Sequence, residues 1–288
     1  MQSTETQTRS YISVSEALDV GTRAGFRQES RGRIELLDGM ERRDYVAAKR
    51  AGVQLEDPSP GGETTIGWLR PGSDLYVVCP LGRYVADHAC VFHEQQKITF
   101  SATDWEEVLL WAEPLLVLRA ILGANSQTTG SGASVSGFHL HAVRVRTVPV
   151  RGAVHVELGT SAVGSVGIVE APVPVTYWAP PDGGLSVSEM ATRLVRAQDL
   201  LTGFGAPWNL MLDGATRRVY ISIRHSPAVK TKTVVGLGWL ESTSGILVAG
   251  EEKDLAITEE EFVAAVKEAC VGPTDLRHQA IREALIAE

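Results

Sequence analysis

The chain has 288 residues, 44% of them hydrophobic, enough for a sizeable core in one large domain or two small ones. A formal net charge of -8 argues against general nucleic-acid binding, while leaving room for a local basic pocket. No apolar run approaches the roughly 20 residues of a membrane span. Residues 1–9 are polar and lack the apolar core of a signal peptide. Three scattered cysteines, Cys79, Cys90 and Cys270, suggest neither a disulfide framework nor a thiolate zinc site, and the low count fits a cytoplasmic protein.

In chain order, Ser13-Val-Ser-Glu16 has the spacing of a capping box and predicts a helix reaching about residue 25. Residues 26–65 are polar and broken by Pro and Gly, and read as loop, with a turn at 58–62. Segments 74–79 and 89–94 read as neighbouring strands. Ser101 to Asp104 cap an amphipathic run over 105–122, with a kink point at Pro114. A strand is expected over about 138–149, and further strands near 152–158, 165–170 and 173–178. Ser186-Val-Ser-Glu189 caps a long helix ending near Gly203. Segments 208–213 and 218–223 flank Gly214-Ala-Thr as a hairpin. A strand-rich patch follows over 234–249, then a helix from Thr258 and a last one after Pro273. Antiparallel hairpins mixed with long helices predict an α+β fold, mostly antiparallel sheet flanked by helices. Residues 1–288 are expected to form one domain with two halves, 66–150 and 151–288.

The segment from Asn125 to Arg146 carries the chemistry. It runs from Asn125 through a Gly/Ser-rich loop into Phe138-His139-Leu-His141-Ala-Val143. Residues i and i+2 of a strand share a face, so His139 and His141 project side by side and Val143 continues their row. Glycine-rich loops bring backbone N–H groups close to anions. A neutral imidazole beside such a loop is suited to attack on phosphorus, because it is nucleophilic without prior deprotonation. Either feature alone is a weak motif; their order gives it weight.

These residues resemble the histidine-triad superfamily, and within it the branch of galactose-1-phosphate uridylyltransferase, diadenosine tetraphosphate phosphorylase and the GDP-hexose phosphorylases. The resemblance covers roughly residues 70–270. It lies in Cys79-Pro80 through His88 and Cys90-Val-Phe, in Asn125 through His141, in 206–212 with 219–224, and in 236–248 followed by Thr258-Glu-Glu-Glu261. It implies a fold of two histidine-triad-like halves. It also implies that His141 attacks the α-phosphorus of a nucleotide, with His139 orienting it or touching the phosphate. His88 would line the same pocket, and Asn125, Ser131, Gly132 and Ser134 would bind phosphate oxygens. Arg224, with His225, Lys230 and Lys232, could neutralise a second phosphate.

The chain departs from that pattern at Val143, where the family carries a Gln or His that contacts the phosphate. The loop before His139 is one or two residues longer, and the paired cysteines of the zinc-containing transferases are missing. No metal or other cofactor is therefore expected, apart from Mg2+ arriving with a substrate. Arg144 and Arg146 should point away from the histidines, as His93 should from His88. The expected activity is nucleotidyl transfer or phosphorolysis of a nucleoside-diphosphate sugar or dinucleoside polyphosphate, with phosphate or a sugar 1-phosphate as acceptor. A nucleotide hydrolase, or a nucleotide-binding protein with little turnover, is the alternative. The expected partner is a nucleotide or nucleotide-sugar substrate, with no nucleic acid or membrane, in a monomer or homodimer.

Overall fold

The computed structural model describes residues 10–19, 25–53, 57–117, 120–127, 133, 135–225 and 237–287. The chain begins with α1 (Val14–Asp19), β1 (Phe26–Arg31), β2 (Ile34–Gly39) and α2 (Met40–Arg50). The first half of the main sheet follows: β3 (Thr65–Trp68), β4 (Leu75–Val78), β5 (His88–His93), α3 (Ala102–Val117), β6 (Ile121–Asn125) and β7 (His139–Val143). The second half is β8 (Val156–Ser161), β9 (Gly164–Val169), β10 (Val175–Ala179), α4 (Val187–Gly203), β11 (Trp208–Asp213) and β12 (Val219–Ile223). The chain closes with α5 (Trp239–Ser244), β13 (Ile246–Val248), α6 (Glu259–Ala269) and α7 (Leu276–Ile286).

The two halves repeat one plan: three strands, a long helix, two strands. Within each half the strands lie in the order first, second, third, fifth, fourth, and the halves meet fourth strand to fourth. The resulting ten-stranded sheet runs β3-β4-β5-β7-β6-β11-β12-β10-β9-β8. Its pairs are antiparallel, including the seam, where Gly123 faces Met211. This is the expected α+β arrangement, a mostly antiparallel sheet built of two halves.

Strand alternation sends side chains to two different layers. On one face Val91, Leu140, Ala142 and Leu210 pack against α1, α3, α4 and α7. On the other, Ile121, Val143, Met211 and Tyr220 pack against α5, α6 and a small sheet of order β1-β2-β13. The small sheet buries Ile34, Leu36 and Leu37 there. No described helix is long and apolar enough to cross a membrane.

Several expectations need correction. Residues 26–65 are not a loop; they hold β1, β2, α2 and the start of β3. The helix expected over 105–122 is described as far as Val117, and residues 121–125 are not helix but form β6 at the seam. The histidine strand stops at Val143 rather than near 149. In the patch expected as strands, Trp239–Ser244 is a helix and Ile246–Val248 a short strand; residues 234–236 lie outside the described residues. The helix expected from Ser13 is described as far as Asp19.

Candidate active site

The register between β5 and β7 builds the site. Cys90 faces His141, Phe92 faces His139, and His88 faces Val143. All six side chains point to the face away from the long helices. His88, Cys90, Phe92, His139 and His141 line one pocket, which Asn125 also reaches from the end of β6.

The protons on the three pocket imidazoles can be assigned from their partners. The backbone N–H of Tyr84 donates to Nδ1 of His88 at 3.2 Å. The His88 proton therefore sits on Nε2, which lies 3.0 Å from Nδ1 of His141. His141 accepts there, so its own proton is on Nε2, a buried atom without a hydrogen-bond partner. His139 is held differently: its Nδ1 lies 3.0 Å from the Gly137 carbonyl, which can accept but not donate. Its proton is on Nδ1 and its lone pair on Nε2.

Burial keeps these rings neutral. Desolvation pushes His88 and His141 well below the ordinary histidine value, aided by nearby positive groups, and lowers His139 as well. Burial also drives the Cys90 thiol well up, so it stays protonated. Aromatic rings fix the imidazoles in place. Tyr84 stacks on His88 with centroids 4.5 Å apart, Trp239 on His141 at 5.8 Å, and Phe92 on His139 at 4.6 Å.

Asn125 is oriented as firmly. Its Oδ1 accepts from Asn209 Nδ2 at 2.7 Å and from the Trp239 backbone N–H at 2.8 Å. The amide NH2 is left as the donor end of a pocket-lining side chain.

The opposite wall comes from α2, which contributes Arg42, Tyr45 and Lys49. The Arg42 guanidinium lies over the Tyr84 ring at 5.2 Å and the Tyr45 ring at 5.5 Å. Lys49 lies over Tyr45 at 5.1 Å. Sequence reading missed this wall because α2 buries no residue completely and so shows no apolar stripe.

Donor atoms of His88, Cys90 and His141 lie within 4.8 Å of one another, a convergence that cysteine spacing could not reveal. Cys90 Sγ is 3.2 Å from His141 Nδ1 and 3.6 Å from His88 Nε2. A metal there would need the Nε2 lone pair of His88, yet the Tyr84 N–H leaves a proton on that atom. As arranged, the Tyr84 N–H, His88 and His141 form a hydrogen-bonded chain beside the Cys90 thiol.

Of the residues expected at the site, His88, Asn125, His139 and His141 converge. Val143 shares their face but packs with Ile121 and Trp239 in the apolar layer behind the pocket. Arg224 is buried away from the lining residues, and its guanidinium donates to the Leu237 carbonyl. Ser131, Gly132 and Ser134, like Lys230 and Lys232, lie outside the described residues. Arg144 pairs with Asp87 at 2.7 Å and Arg146 donates to the Gln28 carbonyl, so neither reaches the pocket. His93 faces Asp104, away from His88.

The architecture is a two-half antiparallel sheet with an H-x-H strand lining one pocket. Solved structures agree on the fold. Yeast Ap4A phosphorylase Apa2 matches with a TM-score of 0.60 at 11% identity, covering 86% of this chain and 90% of that one. Its complex with Ap4A matches with a TM-score of 0.59 at 12% identity, covering 88% and 91%. Its complex with AMP gives 0.55 at 12% identity, covering 85% and 87%. No protein-family model and no curated protein matches the chain.

Proposed function

We propose that this protein is a nucleotidyltransferase or phosphorylase that works through a covalent nucleotidyl-histidine. The observation that carries the reading is the pairing of neutral, buried imidazoles with the donors Arg42 and Asn125 around one pocket. A neutral imidazole supplies a lone pair, and the donors supply charge for the phosphate it attacks. The fold shared with an Ap4A phosphorylase supports the same class of chemistry.

The donor substrate is a nucleoside-diphosphate sugar or a dinucleoside polyphosphate. In the first step an imidazole takes the nucleotidyl group and the distal phosphate leaves. In the second step inorganic phosphate or a sugar 1-phosphate displaces the group from the ring. The pocket histidines come from the first half: β12, the counterpart of β7, reads Val-Tyr-Ile-Ser-Ile and holds no histidine.

Intact-mass measurement after mixing the protein with nucleotide sugars and dinucleoside polyphosphates tests the proposal. The expected result is a nucleoside-monophosphate adduct that disappears when phosphate is added. Product formation that shows no adduct and no dependence on phosphate would instead indicate direct hydrolysis.

A further inference from the structure

We infer that Asp57 reads the base of the donor nucleotide and selects guanine. The inference deepens the nucleotidyl-transfer reading and rests on the same pocket.

Asp57 is the one carboxylate among the described residues that line the pocket, and it is exposed, so a ligand reaches it as the site stands. Charge is divided along the pocket. Asp57 bears on His139 and Tyr76, whereas the Arg42 cation bears on His88 and His141. A carboxylate repels phosphate and a guanidinium attracts it. The phosphates of a nucleotide therefore belong on the Arg42 side and the nucleoside on the Asp57 side.

The Asp57 side is built for a flat apolar group. Across the sheet, Trp68 faces Tyr76, Tyr76 faces Phe92, and Phe92 faces His139. Phe92 stacks on Tyr76 with centroids 5.8 Å apart. These side chains join Val78 and Cys90, with Val135 packed on them, in a small apolar cluster separate from both core layers. Val78, Phe92, Val135 and Pro58 line the pocket. Two hydrogen bonds hold the carboxylate at the edge of this cluster. The Tyr76 hydroxyl donates to the Pro58 carbonyl at 3.1 Å, and the Ser136 backbone N–H donates to Asp57 Oδ2 at 3.2 Å. Oδ1 and a second lone pair of Oδ2 remain as acceptors.

A carboxylate can only accept, and the bases differ in what they offer it. Guanine presents N1–H and the N2 amine side by side, a match for two carboxylate oxygens. Adenine sets the N1 lone pair beside its N6 amine, and cytosine sets N3 beside N4. Uracil holds one N–H between two carbonyls. Each of these three turns a lone pair toward the carboxylate and is rejected by it.

Calorimetric titration of the full-length protein with GMP, IMP, AMP and UMP tests the assignment without requiring turnover. GMP should bind about 10- to 100-fold more tightly than AMP or UMP, the worth of a charge-assisted hydrogen bond. IMP, which lacks the N2 amine, should fall between them. Asp57→Asn presents one acceptor and one donor, the pattern that pairs with adenine. The variant should bind GMP more weakly and AMP more tightly than the wild type does, with thermal melts reporting that it is folded. Equal wild-type affinity for all four nucleotides would overturn the inference and leave the transfer reading to its adduct. The inference would also fall if Asp57→Asn weakened every nucleotide equally and the wild type bound 2′-deoxy-GMP as weakly, since the carboxylate would then read the ribose. A guanine preference without a nucleotidyl adduct from any donor would keep the base assignment and overturn transfer. No binding of any nucleotide would overturn both.

Discussion

Arg42 presents its guanidinium at the pocket wall, and among the described residues no carboxylate pairs with it. A cation left unpaired beside neutral imidazoles is placed to meet substrate phosphate. Each charge-assisted hydrogen bond is worth about 1.5–3 kcal/mol, so Arg42→Ala should lower kcat/KM by about 10- to 100-fold, mostly through KM. Steady-state kinetics with a donor nucleotide checks this, and an unchanged KM would remove Arg42 from substrate binding. The protonation of the pocket histidines sets the pH dependence. The proposed transfer needs a neutral imidazole, and burial lowers both His139 and His141 from the ordinary value of 6.5. The acid limb of kcat/KM should therefore fall below pH 6.5; a midpoint above 6.5 would show a nucleophile favoured in its charged form. The H-x-H pair was legible because a strand's two-residue period fixes faces without any tertiary knowledge, whereas His88 and Asn125 were expected only through the family resemblance. Cys90 and Tyr84 were not, because their approach to His88 and His141 depends on the β5–β7 register and on the chain's return after Pro80. Arg42 was hidden for a third reason, since a helix that lines a pocket carries its function on polar side chains.

At the scale of elements, local chemistry was legible and long-range choices were not. The boxes Ser186–Glu189 and Thr258–Glu261 both form and start α4 and α6 where the sequence places them. By contrast β6, reading Ile-Leu-Gly-Ala-Asn, was absorbed into the preceding helix, because a short apolar run has no period to distinguish it. Its glycine explains part of what the sequence hid. A Cβ built on Gly123 would lie 1.9 Å from the Trp239 ring, so the strand must be bare there for the indole to reach His141. This contact also explains why 239–244 forms a helix against β6 and β11 rather than another strand: it carries Trp239 onto the sheet and its backbone N–H onto Asn125. Gly123→Ala should displace the indole and destabilise the fold by about 1–3 kcal/mol, the range for overpacking a dense core. Turnover should fall as well, since both His141 and Asn125 lean on Trp239. Urea unfolding with parallel kinetics tests this, and wild-type stability with wild-type turnover would show that the indole can move aside without consequence.

At the scale of the molecule, the duplicated plan places both halves in a single sheet, so the pocket of the first half and the core of the second are joined through the β6–β11 seam. The alternation of strands and long helices made this α+β plan legible; the shared strand order was not, because it depends on pairings between distant segments. Stability of the second half enters through α7, which packs on α4 and carries His278 into the interior. Burial is the largest cause lowering His278 to about 4, with the Arg282 charge adding to it. Because the folded value lies below the unfolded value of 6.5, the unfolded chain binds the proton more readily between them. The resulting stability is fully present above pH 6.5 and is lost as the pH falls towards 4. The 2.5-unit gap between the two values corresponds to about 3 kcal/mol at most. The neutral pocket histidines act with the same sign, so acid should weaken the protein steeply over this window. Replacing His278 with Gln removes one titrating group and should flatten the fall in unfolding free energy between pH 7 and pH 5, measured by urea titration at each pH. A variant that loses stability in parallel with the wild type over that interval would show that His278 keeps an ordinary pKa in the fold, and that the acid sensitivity resides elsewhere.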